Sequence, residues 1–466
     1  MDFPIFHLDF MGNRILIAII AILHVVINHS LAVGLIPYVT YMEYVGYKNN
    51  SVEWDELARK VMFFAFLITT SLGAMTGVGI WLSASLVSPA SIGSLIRVFF
   101  LAWFVEWIVF VTEVVLILIY FLSWKRSNAS PEKKWKHIKF GAALSAASWV
   151  TMAIIVAILG FMMDPGNWRT DHSLFSGVLN PVYPAQLAFR TPLAMVMGGC
   201  ITLALIPFFV RGNDTLRRAA VRLTGIWILA WTPFLIVGSL YYYHVIPDMM
   251  RQNMSVAIGT MEFSGWYDSL MLVAAGAGAL IGFVALLGVM GRWRLPALAL
   301  VLPFFLAAAL LVTFERAREF IRKPYVIADY MYSNMVRPQE MALLNRDGIL
   351  KHATYVKHRA INPQNRVEAG KDVFMLACSR CHTSGGINSV VSKFQNLLGP
   401  NAGSLDVMVG YMRNMHKSRY FMPPFPGNEA ELEALAAYIL STAKYPDPAE
   451  GAQEIGVSLP KEGVAQ

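Results

Sequence analysis

Eight long apolar runs fill the first part of the chain and then stop, and this limits the fold more than any other feature. A helix that crosses a bilayer needs about 20 mostly apolar residues. Runs of that length read as Ile15–Met42, Val61–Leu86, Val98–Trp124, Ile138–Met163, Pro184–Val210, Leu223–Ile246, Ser269–Met290 and Leu295–Phe320. The composition agrees. Of the 466 residues, 56% are hydrophobic and 15% charged, whereas a soluble chain carries about a quarter charged residues. After the eighth run the sequence turns polar, which divides an integral membrane domain from a water-soluble one. The expected fold class is all-α, an eight-span transmembrane helix bundle followed by a small soluble domain. The expected boundaries are 1–330 for the bundle, 331–363 for a linker, 364–445 for the soluble domain and 446–466 for a flexible tail.

The net charge of +8 does not point to nucleic acid as a partner. Much of it lies in short loops between spans. Lys125, Arg126, Lys133, Lys134, Lys136 and Lys139 follow span three. Arg211, Arg217, Arg218 and Arg222 follow span five, and Arg292 and Arg294 follow span seven. The positive-inside rule makes these loops cytoplasmic. Both chain ends then lie outside, in the periplasm of a bacterial inner membrane. The first run, of about 28 residues, is too long for a signal-peptide core, and no small-residue cleavage site follows it. Three cysteines, one of them alone in an apolar run, argue against a disulfide framework.

Cys378-Ser379-Arg380-Cys381-His382 is a C-x-x-C-H sequence. Two thiols at this spacing can form thioethers to the vinyl groups of one haem, and the next histidine can meet the iron. The alternatives are a chance match and a zinc half-site. Around the motif, Val367–Cys378 reads as a short amphipathic helix. Met422-Pro423-Pro424-Phe425 follows, then a helix at Glu429–Thr442. This order resembles a class I cytochrome c over about 80 residues. The resemblance implies one covalent haem c with His382 and Met422 as axial ligands. Met415 is the competing sulfur, but it lacks the following proline. It also agrees with the topology, since haem c is attached outside the cytoplasm and the motif follows span eight.

Ionisable groups inside a bilayer are costly and therefore functional candidates. His24 and His29 lie on span one, Glu106 and Glu113 on span three, and Glu315 and Glu319 near the end of span eight beside Arg316, Arg318 and Arg322. A lone histidine can simply hydrogen-bond a neighbour, and the last group can be an interfacial ion-pair cluster. Paired glutamates deep in one span point to proton conduction, haem ligation or a charge partner.

Four segments resemble subunit I of cytochrome bd-type oxidases. Arg14 stands ten residues before His24, with Gly34 and Met42-Glu43 beyond. Leu72-Gly73-Ala74-Met75-Thr76-Gly77 lies on span two. Glu113 precedes Trp124 on span three. Glu319-Phe320-Ile321-Arg322-Lys323-Pro324-Tyr325 closes span eight. The resemblance implies that His24 and Glu319 bind one or more b-type haems, with a variant haem at His24 among the options. It implies that Arg14 pairs with haem propionates and that Glu106 and Glu113 are catalytic, although Glu106 sits one residue off the family's position. Met271 matches a methionine ligand of the family's low-spin b haem.

Departures accompany the likeness. Arg190 stands where that low-spin haem has its histidine, and His29, His172 and His244 are the candidate substitutes. The family's long quinol loop between spans six and seven is reduced to about twenty residues, Pro247 to Gly265. A ninth span is replaced by the cytochrome domain. Two functions follow. One is a bd-like terminal oxidase with cytochrome c-type electron input. The other is a non-oxidase relay linking the quinone pool to an external redox partner. A transporter or sensor with an appended cytochrome is a third class. The implied partners are other membrane subunits of a respiratory complex and a periplasmic redox protein or quinone.

Overall fold

The computed structural model describes residues 6–258, 267–291 and 294–443. Part of the loop between spans six and seven, Arg292 and the tail lie outside the described residues. The chain forms two compact units. One takes in Ile19–Trp81 and Ser94–Arg322. The other gathers the chain before Ile19, Leu82–Gly93 and the chain from Lys323 onward.

Eight helices are long and apolar enough to cross a membrane: Asn13–Lys48, Val52–Val87, Phe100–Ser127, Pro131–Met163, Tyr183–Phe209, Asp214–Val245, Met271–Met290 and Ala297–Ile321. Several outrun the apolar segments that announce them. Their polar ends remain helical because caps stop them. Ser51 accepts from the Trp54 amide, Ser130 from Lys133 with Pro131 in the first turn, and Asn213 from Leu216. Spans one and two are not uniform α-helices. Asn28–Val33 and Thr69–Gly73 are π-helical turns, and the two turns pack on each other.

Span five is the centre of the bundle and is buried along most of its length. With no hydrophobic drive between helices in lipid, small residues that allow close backbone approach hold such bundles together. A Cβ on Gly34 would sit 2.0 Å from the Ala194 carbonyl oxygen, and one on Gly198 would sit 2.3 Å from the Gly34 carbonyl carbon. Span six approaches the same helix at Gly238, where a Cβ would meet the Ala188 carbonyl oxygen at 2.1 Å.

The other unit is built around the helices Arg366–Ala377 and Glu429–Thr442. They cross at Gly370, where a Cβ would lie 1.9 Å from the Ala434 carbonyl oxygen. Phe374 and Tyr438 pack beside the crossing, ring centres 5.6 Å apart. The segment read as a linker folds onto this core. Val336, Leu344, Ile349 and Leu350 are buried in it, and the carboxylate of buried Glu431 accepts from the Ile349 and Leu350 amides, both at 2.8 Å. A short antiparallel pair, Tyr325–Ile327 with Met331–Tyr332, precedes it.

The glycine contacts yield a direct test. Gly198→Val forces a side chain into span one's backbone and should destabilise the bundle by about 1–3 kcal/mol or more, the usual cost of overpacking. Gly276→Val, where a Cβ meets nothing within 4 Å, should leave the thermal unfolding midpoint of the detergent-solubilised protein unchanged.

Candidate haem sites

His382 leaves the motif with its ring fixed. Its Nδ1 lies 3.1 Å from the Asn388 carbonyl oxygen. A carbonyl only accepts, so Nδ1 carries the proton and the lone pair is left on Nε2, the nitrogen an iron would take. Asn388 holds this loop in a left-handed backbone conformation, φ +59°, and its side chain donates to the Cys381 carbonyl at 2.7 Å. The half-buried ring has its pKa lowered to about 4. Burial is the main cause, the Asn388 carbonyl opposes it, and Arg14, Lys393 and Lys323 add to it. The imidazole is therefore neutral, as an iron ligand must be. Burial pushes the Cys378 thiol up to about 12, with Cys381 adding to the rise.

The zinc alternative needs further donors, and among the described residues no group of three or more His, Cys, Asp or Glu is placed to hold a metal ion. The donor set at the motif fits haem c instead. Arg380 is buried there, and its Nε and Nη1 have no hydrogen-bond partner among the described residues, a place an anionic group would satisfy. Met415 lies on the helix Leu405–Ser418, and half-buried Met422 lies in the loop beyond it. The Met422 amide donates to the Arg419 carbonyl at 2.7 Å, and the His416 ring donates to the Met422 carbonyl at 2.5 Å.

The N-terminal segment joins this site, a contact the sequence did not suggest. The Asp9 carboxylate accepts from the Ser384 amide at 2.7 Å and the Ser384 hydroxyl at 2.5 Å. Gly386 lets the chains approach, since a Cβ there would lie 2.2 Å from the Asp9 carbonyl oxygen.

In the bundle, His24 shows the same logic as His382. Its Nδ1 is 3.2 Å from the Gly73 carbonyl oxygen and 3.1 Å from the Thr76 hydroxyl. The carbonyl fixes the proton on Nδ1 and leaves Nε2 as the donor atom for a metal. Gly77 makes room, with its missing Cβ position 3.2 Å from the ring. Gly73 closes the π-helical turn of span two and Thr76 follows it, and His24 itself precedes the π-turn of span one. Such turns often mark functional sites.

His29 does something else. Its Nδ1 bonds to the Val25 carbonyl at 3.1 Å, and its Nε2 faces Arg190 Nη1 at 3.3 Å. Arg190 is buried, and its Nη2 donates to Glu315 at 2.6 Å. Arg318 donates to the other Glu315 oxygen at 2.8 Å, and Arg190 Nε reaches Gln186 at 3.3 Å. The ion-pair cluster anticipated at the end of span eight thus centres on Glu315 and extends to span five. Half-buried Glu319 lies one turn beyond Glu315 and interacts with Arg318. Met271 is 64% exposed. His172 and His244 are exposed at loop ends. On span three, Glu113 is buried and accepts from Thr151 at 2.9 Å, while Glu106 is half-buried two turns away.

Residues 13–265 match the family described as cytochrome bd terminal oxidase subunit I. The chain belongs to that family. Residues 365–439 match the family described as cytochrome C oxidase, cbb3-type, subunit III. Among solved structures, the bd oxidase from Geobacillus thermodenitrificans is similar in fold, with a TM-score of 0.55 at 16% identity. The match covers 68% of this chain and 89% of that one. A comparison with curated proteins finds no match. This bd-family chain is a multi-pass membrane protein of respiratory electron transfer. Its two matched domains imply haem c in the C-terminal domain and b-type haem among the spans.

Removing one partner of a buried ion pair leaves an uncompensated charge. Glu315→Gln should therefore cost about 3–5 kcal/mol, read as a lowered unfolding midpoint with loss of bound haem on heating.

Proposed function

We propose that this chain is a bd-like terminal oxidase that receives electrons through its own covalent haem c. The observation that carries the reading is the shared state of two histidines. His24 in a bd-family bundle and His382 in a C-x-x-C-H motif both have Nδ1 bound to a backbone carbonyl and Nε2 left for iron. In this reading Cys378 and Cys381 would hold haem c through thioethers, and His382 and Met422 would be its iron ligands. His24 and Glu319 hold b-type haem near the periplasmic face, and Arg14 pairs with a propionate, for which a guanidinium is suited. The haems, when bound, supply one-electron relay and the site for dioxygen.

The protein's own residues supply orientation and protons. The carbonyls of Gly73 and Asn388 fix the tautomer of the two imidazoles and their orientation. Reduction of dioxygen to water takes four electrons and four protons, and in this reading Glu113 and Glu106 pass protons along span three. Arg190, which is tied to Glu315, stands where the family's low-spin haem would find its histidine, so Met271 would need another partner to hold such a haem. Electron input then depends on the cytochrome domain, outside the cytoplasm with both chain ends. The donor is a periplasmic redox protein, and other membrane subunits cover the exposed apolar faces of spans two and three, which include Phe63, Met75, Phe104 and Trp107.

The shortened loop after span six, with its helix Asp248–Ile258, favours a second reading, a relay between quinone and an external partner that does not reduce dioxygen. Oxygen consumption by the purified full chain with a reduced cytochrome as donor separates the two. The oxidase reading predicts sustained consumption, a fall of at least a hundredfold in His24→Ala, and loss of b-type haem in both His24→Ala and Glu319→Ala. Full b-haem content in both variants would remove the proposed ligands, and no consumption by the wild type would leave the relay.

A further inference from the structure

A second buried polar cluster lies far from His24, at the ends of spans one to four where the lysine-rich loop sits. Glu43 is 19 residues beyond His24, about 28 Å of helix. Glu43 and Tyr120 are fully buried, and His137 and Lys134 are 6% and 7% exposed. The Glu43 carboxylate is the hub. One oxygen faces Lys134 Nζ at 2.6 Å and His137 Nδ1 at 2.6 Å, and the other accepts from the Tyr120 hydroxyl at 2.7 Å. Lys134 also pairs with Asp55. Asp55 in turn accepts from the Trp124 indole at 3.2 Å and from the Asn128 amide at 2.7 Å.

The hydrogen bonds of His137 fix the proton count of the His137–Glu43 pair. Nε2 lies 2.8 Å from the Tyr120 backbone carbonyl oxygen. That oxygen can only accept, so Nε2 carries a proton. A neutral ring would then turn a bare lone pair on Nδ1 toward a carboxylate oxygen 2.6 Å away. Two lone pairs do not meet at that distance, so a second proton lies between His137 and Glu43. The charges agree with the geometry. With that proton present, Lys134 and His137 balance Glu43 and Asp55. Without it, the buried group is left with a net negative charge, which is costly away from water.

The cluster also stands at the end of a ladder. Glu106, Glu113 and Tyr120 are spaced seven residues apart on span three, which places them nearly on one face at intervals of about 10.5 Å. Beside the Tyr120 hydroxyl is Thr40 Oγ1 at 3.5 Å. Gly141 keeps this corner open, since a Cβ there would lie 2.6 Å from Thr40 Oγ1 and 2.8 Å from the Tyr120 hydroxyl. Asp55, with its side chain 13% exposed, is the member nearest solvent.

We propose that the His137–Glu43 pair is a proton-loading site that stores one exchangeable proton and delivers it through Tyr120 to the span-three glutamates. This rests on the reading of Glu113 and Glu106 as proton-path residues. The proton leaves His137 through Glu43, whose other oxygen holds the Tyr120 hydroxyl. The intervals between Tyr120, Glu113 and Glu106 exceed a direct hydrogen bond, so transfer across them requires bridging waters. The pair is then reprotonated from bulk water past Asp55 and Lys134. No electron moves in these steps. The groups facing His137 are Glu43 on span one, Tyr120 and Trp124 on span three, and Lys134 on its own helix, with Asp55 behind Lys134.

The test uses the full chain in lipid nanodiscs and needs no oxygen. With 15N-labelled histidine, the His137 ring is the signal missing from His137→Gln. The proposal predicts that both its nitrogens are protonated at pH 7.5, and a neutral ring overturns it. Proton uptake from a pH-indicator dye is then followed during anaerobic photoreduction of the haems. His137→Gln and Tyr120→Phe should each slow uptake at least tenfold at unchanged haem content. Tyr120→Phe removes only a hydroxyl, and it should leave the His137 ring doubly protonated. Uptake within twofold of wild type in Tyr120→Phe reduces the cluster to a clamp between spans and overturns the proposal. Failure of the oxidase reading would appear separately, as absent oxygen consumption with these results intact.

Discussion

A charge in the core of a bilayer has no water to turn to, so it must find its partners within the protein. This one constraint organises the bundle. Glu315 is gripped by Arg190 from span five and Arg318 from its own span. Glu43 is gripped by Lys134 and His137 from span four and Tyr120 from span three. Each set ties together helices that are distant in sequence. Between the charged sets, the helices are held by backbone approach at Gly34, Gly198 and Gly238, where dispersion and close packing replace the hydrophobic effect. The polar sets select the register, and the glycines allow the approach that the register requires.

The same accounting separates the histidines by role. His24, His29 and His382 each place Nδ1 on a backbone carbonyl. What differs is the other nitrogen. For His29 it is taken by Arg190, which makes His29 part of a structural network. For His24 and His382 the proposed reading gives it to iron. His137 is the exception, with both ring nitrogens on acceptors, and this sets it apart as a proton carrier.

Much of this was legible in the sequence, for reasons that are local. The eight apolar runs mark the spans because their length matches a bilayer, and the two helices flanking Cys378–His382 follow from amphipathic spacing. The site was less legible wherever partners come from separate spans. Nothing near Arg190 in the sequence points to Glu315, 125 residues away, and nothing near Glu43 points to His137. The π-turns at Asn28–Val33 and Thr69–Gly73 leave no periodicity signal, because one added residue per turn is lost within an apolar run. Helix ends ran past the apolar segments because caps at Ser51, Ser130 and Asn213, not hydropathy, stop them. The polar segment from Met331 to Pro363 reads as a linker by composition, yet a few apolar residues, Val336, Leu344, Ile349 and Leu350, suffice to bind it to the cytochrome core.

The central claim is that electrons pass within one chain between a covalent haem c and a b-type haem in the bundle. Stopped-flow mixing of the oxidised, purified full chain with a reduced cytochrome donor tests it most directly, with the c and b absorption bands followed separately. The account predicts that the c band is reduced first and the b band follows. It also predicts that Cys378→Ala with Cys381→Ala, which keeps the bundle intact, abolishes reduction of the b band by this donor. Reduction of the b band at the wild-type rate in that double variant would contradict it.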